Sequence, residues 1–346
     1  MTAAKSSRSM VVKGRTKQKR AVVRIKGWKP KRAKWVLLKK VRSKKHKFKT
    51  RVSLQGVGNR PLKVKPRNQK VRRVPVTPAV TPSDDCGSRL EKSDGTLWTC
   101  TFSDEFEGSG LDRTKWMPQT TGYTTGDDTN FACYKDDPAN VSVAAGSLKL
   151  RLTKGPVEPC PGLKGRATGF SSGSVSTYRL FSQKYGRFEA RTRNTAANVS
   201  GLHEAFWLWP DDRVVDVSKW PDSGEIDIAE TYSSHANLAI PFLHTSWDRI
   251  LGLIPWELGH LATSNTAWTC RAQRGVWNTY AVEWSAKKIE IFVNGKLCLR
   301  NIAGDSAFQE PYIIALTQGI GGDQNRYTAA TPLPGTYEVD YVRVWK

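Results

Sequence analysis

Trp220-Pro221-Asp222-Ser223-Gly224-Glu225-Ile226-Asp227-Ile228-Ala229-Glu230 places three carboxylates within six residues. Ile226 and Ile228 alternate with Glu225 and Asp227, the period of a strand with one apolar and one acidic face. Strict alternation sends Glu230, five residues after Glu225, to the apolar face. A single-residue β-bulge at Ile228-Ala229 returns it to the acidic face, and bulges are over-represented beside active sites. Like charges at neighbouring same-face positions destabilise a sheet, so a strand of this kind points to chemistry. A solvent-facing acidic edge and a Ca²⁺ loop are the competing readings. Calcium sites usually draw carboxylates from loops with turn-forming Gly or Asn, not from an alternating apolar strand.

The same period extends on both sides. Ser147-Leu148-Lys149-Leu150-Arg151-Leu152, Arg187-Phe188-Glu189-Ala190-Arg191-Thr192-Arg193 and Tyr337 to Trp345 all alternate. Lys288-Ile289-Glu290-Ile291-Phe292-Val293 runs through Asn294-Gly295 into Lys296-Leu297-Cys298, a hairpin signal because both turn residues tolerate φ > 0. No long segment has a 3.6-residue apolar period. Many short strands with Gly, Pro and Asn turns and no repeat predict an all-β chain, an antiparallel β-sandwich or jelly roll.

Charge divides the chain of 346 residues. Residues 1–83 hold 28 Lys and Arg and no acid, whereas 84–346 hold 27 basic and all 31 acidic residues. The formal charge of +24 therefore describes neither part, and a uniformly basic nucleic-acid-binding domain is excluded. Apolar runs such as Trp35-Val36-Leu37-Leu38 are far below the ~20 residues that span a bilayer. Three parts are expected: a basic N-terminal module over 1–73, a Pro/Thr linker over 74–83, and a main domain over 84–346. Phe48, Thr50, Val52 and Leu54 fall on one face of an alternating run. Val22–Lys26, Lys34–Val41 and Leu62–Lys65 are rich in β-formers, so the module reads as a small β-rich unit. A flexible polybasic tail is the competing reading.

All six cysteines, Cys86, Cys100, Cys133, Cys160, Cys270 and Cys298, lie in the main domain. An even count fits three disulfides, and proximity favours Cys86–Cys100, Cys133–Cys160 and Cys270–Cys298. That predicts an oxidising, extracellular compartment, although no apolar signal-peptide core is visible at the N-terminus. With no C-x-x-C pair and five His, no zinc site is expected. Eleven of the thirteen Trp also lie here. They read as core residues, or as flat platforms for sugar rings where they border a site.

Two carboxyls ~5–5.5 Å apart suit retaining glycoside hydrolysis, one attacking the anomeric carbon and the other protonating the leaving oxygen. Asp227, near both, raises the proton affinity of the neighbour that must stay protonated.

Gly224-Glu225-Ile226-Asp227-Ile228-Ala229-Glu230 resembles the active-site strand of glycoside hydrolase family 16 in its bulged, laminarinase-like form. The resemblance extends to Ser103-Asp104-Glu105-Phe106, to Tyr185–Arg191, to Ala205-Phe206-Trp207-Leu208-Trp209-Pro210, to Thr279–Trp284 and to Val339–Trp345, and covers nearly all of 84–346. It implies a concanavalin A-like jelly roll with Glu225 as nucleophile, Asp227 as assisting acid and Glu230 as acid/base. It also implies Trp220, Trp209, His244 and Gln318 as substrate-binding residues. Asn278, Thr245 and the segment 248–266 depart from the family pattern.

The expected activity is retaining endo-hydrolysis of β-1,3-glucan. Mixed-linkage glucan or galactan hydrolysis, and non-catalytic carbohydrate binding with a polyanion-binding arm, are the alternatives. No cofactor is expected to be required, and a structural Ca²⁺ is compatible with the family. The expected partners are the polysaccharide and, for the arm, an anionic cell-wall polymer rather than a specific nucleic acid. The chain is expected to be a monomer, extracellular or cell-wall associated.

Overall fold

Leu148, Leu150 and Leu152 are fully buried while the residues between them are partly exposed, and the same alternation builds nearly every element. In this computed structural model the described residues are 9–15, 22–29, 34–42, 44–45, 47–53, 62–66, 72–74, 83–88, 90–92, 94–120, 123–246 and 264–346. Helical structure among them is confined to short 3₁₀ turns. They divide into two compact units, Met1–Thr99 and Cys100–Lys346.

The second unit is built from two sheets. The six strands of the first are numbered along the chain: β1 (Met117–Pro118), β2 (Ser174–Ser176), β3 (Leu202–Pro210), β4 (Glu225–Tyr232), β5 (Ile240–His244) and β6 (Tyr312–Ile320). Their order is β1-β2-β6-β3-β4-β5, antiparallel throughout. The second sheet has ten strands, with Gly335–Trp345, Gly186–Asn194 and Asn278–Ser285 adjacent near its centre. Phe206, Leu208, Ile226, Ile228, Ile314 and Leu316 of the first sheet share one apolar cluster with Phe188, Val282, Ile291, Val339, Val342 and Val344 of the second. The result is the antiparallel sandwich expected from the strand periods.

Asn294 and Gly295 form the expected turn with φ of 52° and 71°, joining Lys288–Val293 to Lys296–Asn301 in antiparallel register. Cys133–Cys160 and Cys270–Cys298 are bonded, with Cα atoms 5.6 Å and 5.4 Å apart. Cys86 and Cys100 are also in disulfide form, and no cysteine is free. Asn278, one of the departures from the family pattern, ties turns together: its amide donates to the carbonyls of Gln273 and Val276.

In the first unit, Val22–Lys29, Lys34–Arg42, Leu62–Pro66 and Arg72–Val74 form a four-stranded sheet, and Ser9–Arg15 pairs with Lys47–Ser53. Val23, Ile25 and Val64 are buried, and Arg24, Lys26 and Lys65 beside them are exposed. The faces of Phe48, Thr50, Val52 and Leu54, most of the 74–83 linker and most of the 248–266 segment lie outside the described residues. No helix among those described is long and apolar enough to cross a membrane.

Candidate active site

β4 presents its acids through the predicted irregularity. Across to β3, Phe206 opposes Ala229 and Trp207 opposes Asp227, so Ile228 has no counterpart. Across to β5, Asp227 opposes Phe242 and Glu230 opposes Ile240, which sets Ile228 and Ala229 against Pro241 alone. Ile226, Ile228 and Ala229 sink into the core, while Glu225, Asp227 and Glu230 gather on the outer face. Gly224 admits the chain to the strand. Its φ is +83°, and a Cβ there would collide with the Tyr312 hydroxyl, so no other residue fits without strain.

Each acid has its own partners. Trp220 Nε1 donates to Glu225 Oε2 at 2.7 Å. Trp220 is held there by a 3₁₀ turn over Val217–Lys219, which Asp216 caps by accepting from the Ser218 amide. Its indole is 45% exposed, leaving a ring face open to a sugar. His244 Nε2 lies 3.2 Å from Asp227 Oδ2, and its ring stacks on Phe242 with centroids 4.3 Å apart. Tyr232 donates its hydroxyl to Glu230 Oε1 at 2.9 Å, and His203 Nε2 meets the same oxygen at 3.0 Å.

Burial and the charge of Asp227 push Glu225 up to about 9. Burial and the charge of Glu230, opposed by the His244 hydrogen bond, push Asp227 up to about 6. Burial acts on Glu230 in the same sense, but the His203 and Tyr232 hydrogen bonds with the His203 charge outweigh it and hold Glu230 below its ordinary value. Carboxyls this strongly coupled titrate as one unit. These shifts favour, at neutral pH, a state with one proton, on Glu225.

Trp209 lies on the outer face of β3, edge-on to Trp207 with centroids 5.9 Å apart. Trp207, directly opposite Asp227, is nearer the acids, and its Nε1 donates to Thr317 Oγ1 at 3.0 Å. Gln318 does not line this face. It is fully buried, has the parity of the core residues Ile314 and Leu316, and donates toward Glu204 Oε1 at 3.4 Å. The polar residue that β6 turns outward is Thr317. His203 and Tyr232 were not anticipated. His203 shares the parity of Trp207 and Trp209, and Tyr232 follows Glu230 by two, so alternation alone places both on the acidic face.

Beneath the acids lies a second polar cluster. Glu204 accepts from Arg274 Nη1 and Nη2, each at 2.6 Å, with both side chains almost wholly buried. Thr231 Oγ1 donates to Glu204 Oε2 at 2.9 Å, and Asn194 Nδ2 reaches Thr231 Oγ1 at 2.6 Å.

A bulged strand with three gathered acids on the open face of a two-sheet sandwich fits the family comparison. The domain model described as Beta-porphyranase A-D, GH16 domain, matches residues 98–346. The chain belongs to glycoside hydrolase family 16. Among its relatives in the family is the beta-glucanase of Rhodothermus marinus, 28% identical over 263 residues that are 72% of this chain and 85% of that protein. The glucan endo-1,3-beta-glucosidase A1 of Niallia circulans is 26% identical over 71% of this chain, but this chain spans only 37% of its length. Among solved structures, SCLam, a non-specific endo-beta-1,3(4)-glucanase from family GH16, superposes with a TM-score of 0.60 at 26% identity, covering 74% of this chain and 93% of that one. The fold and the chemistry class of the family are therefore those of residues 98–346.

Proposed function

We propose that this chain is a retaining endo-hydrolase of β-1,3-glucan. Glu225 attacks the anomeric carbon while Glu230 protonates the departing oxygen, and Glu230 then deprotonates the water that releases the covalent intermediate. Asp227, held by His244, keeps a charge between them. The one proton retained by the three carboxyls matches the count that this double displacement needs. Burial and the Asp227 charge favour it on Glu225, whereas the reaction uses it on Glu230, so substrate binding must shift it within the coupled unit. Trp220, with an open ring face and its N–H on Glu225, supports both stacking of a sugar and steadying of the nucleophile.

The observation that carries the choice of substrate is the site sheet's composition: none of its six strands contains a Lys or Arg. A sulfated glycan binds through cations paired with its anions. A neutral glucan needs aromatic faces and hydrogen bonds, and Trp207, Trp209, Trp220 and Phe242 supply the former. The porphyranase description of the matching domain model favours a second reading, a galactan substrate. Sizing the products from laminarin, mixed-linkage glucan, agarose and porphyran decides. Oligosaccharides from laminarin support the proposal. Products from porphyran or agarose alone overturn the glucan assignment, and no product from any of them overturns the activity.

The acid–base behaviour predicts a bell-shaped profile of kcat/KM. Below about 6 a second proton enters at Asp227 and Glu225 or Glu230 loses its charge partner, so activity falls. Above about 9 the last proton leaves and no acid remains for the leaving group. Initial rates on laminarin across this range test it, and a profile flat from 5 to 10 would contradict it.

The arm supports a tethering role. Arg24, Lys26, Lys34, Lys39, Lys40, Arg42 and Lys65 are exposed, and residues 1–83 carry no acid to offset them. Such a surface binds polyanions electrostatically and is screened by salt. With the disulfides, this fits an extracellular enzyme held on an anionic cell wall. The full chain is expected to bind immobilised teichoic acid at ~20 mM salt and to elute well below 1 M, where the screening length falls to about 3 Å. Retention unchanged in 1 M salt would exclude the electrostatic account.

A further inference from the structure

We propose that His203 and Tyr232 are the positioning residues of the Glu230 carboxyl: both donate to its Oε1, which keeps the transferable proton on Oε2, the oxygen left for the substrate. The inference rests on the assignment of Glu230 as acid/base. Its basis is geometric. The Tyr232 hydroxyl is 2.9 Å and His203 Nε2 3.0 Å from the same oxygen. The two rings lie parallel, with an interplanar angle of 11° and centroids 4.5 Å apart. Each ring thus fixes the other's rotation, and the pair forms a two-pronged donor built from adjacent strands, β3 and β4. A phenol in this setting keeps its proton, because burial and the facing Glu230 charge raise it far above the ordinary tyrosine value. A carboxylate has no proton to return, so the His203 Nε2 that meets it carries a proton.

Two donors on one carboxyl oxygen have two effects. They make that oxygen the carbonyl-like one, so protonation occurs on the other. They also favour the ionised form, making Glu230 a stronger acid. The remaining charged or titratable groups facing Glu230 are Asp227 and Glu225 on its own strand and His244 on β5. Residues of β3 other than His203 contribute no titratable group on this face, since Glu204 lies on the opposite side with Arg274. His203 and Tyr232 are therefore the direct donors, and the others act through charge.

The test compares wild type with His203→Phe, which keeps a flat ring against Tyr232 but has no donor, with Tyr232→Phe, and with His203→Gln, whose amide nitrogen can stand where Nε2 stood. In the first two variants the Glu230 carboxyl itself is expected to titrate higher, read by 13C NMR of the labelled side chain, since a donor favouring the anion is lost, while the alkaline limb of kcat/KM, set by the last proton on Glu225, stays in place. Turnover of unactivated laminari-oligosaccharides is expected to fall about tenfold, part of the 10²–10⁴ that general acid catalysis contributes. A 2,4-dinitrophenyl β-laminaribioside, whose leaving group needs no proton, should be affected far less. His203→Gln should restore both the Glu230 titration and the rate. Equal losses on both substrates with an unshifted Glu230 titration would overturn the inference, because that pattern reports a structural role. Full activity of Glu230→Ala on unactivated substrate would instead overturn the underlying assignment, which separates the two failures.

Discussion

Glu225→Ala is expected to lower turnover of β-1,3-glucan by at least about four orders of magnitude, the scale on which removal of a catalytic nucleophile is read. The variant should still fold, since Glu225 lies on the outer face of β4 and its one direct partner among the contacts described above is Trp220. The decisive feature is rescue. Removing the carboxylate leaves room for a small anion on the same side of the sugar ring. With 2,4-dinitrophenyl β-laminaribioside and azide, the variant should form the α-glycosyl azide by a single displacement. Glu230→Ala should behave oppositely. The covalent intermediate still forms from the activated substrate, azide then attacks it from the other side, and the product is the β-glycosyl azide. Product anomers by NMR read the result. A β-azide from the Glu225 variant would mean that the two glutamates have exchanged roles.

Arg274→Met is expected to cost about 3–5 kcal/mol of stability, because it leaves the Glu204 carboxylate buried without its cation. For a unit of this size that is a fall in Tm of roughly 10 °C. Glu204 accepts two hydrogen bonds from Arg274 at 2.6 Å, and the Nε of Arg274 donates to the Thr195 carbonyl at 3.1 Å. Replacing both charges, Glu204→Met with Arg274→Met, should recover most of the loss, since an apolar pair of similar volume carries no desolvation penalty. Thermal unfolding of the two single variants and the double variant closes the cycle. A double variant as unstable as Arg274→Met would show that packing around these side chains, not the ion pair, is what the substitution destroys.

Much of this protein is written in its alternation. The strands, the bulge and the gathering of Glu225, Asp227 and Glu230 all follow from which residues of the 220–230 segment are apolar. Gln318 shows where alternation corrects the resemblance. The family likeness puts a polar residue of this strand in the cleft, whereas Ile314 and Leu316 at the same parity as Gln318 mark that side of β6 as interior. The core accepts Gln318 because Glu204, Arg274, Asn194 and Thr231 form a polar pocket inside an otherwise apolar sandwich. No local pattern announces such a pocket, since Arg274 lies 70 residues from Glu204 and only the fold brings them together. His203 was hidden differently. Its face was legible from Trp207 and Trp209, but its contact with Glu230 depends on the register between β3 and β4, which the bulge itself sets.

The extra residue at Ile228 also shapes how this site can drift over time. The spacing of the two glutamates is fixed by backbone phase, not by the side chains that lie between them. Ile226, Ile228 and Ala229 answer only to the volume of the core, so exchanges among apolar residues of similar size can accumulate there without moving an acid. A change of length acts on the bulge itself. One codon lost between 226 and 229 removes the extra residue and leaves the second glutamate four positions after Glu225, on the acidic face by plain alternation, whereas one codon gained beside a retained bulge turns it inward. The strand is permissive to spelling, and its frame can lose the bulge more readily than it can lengthen around it.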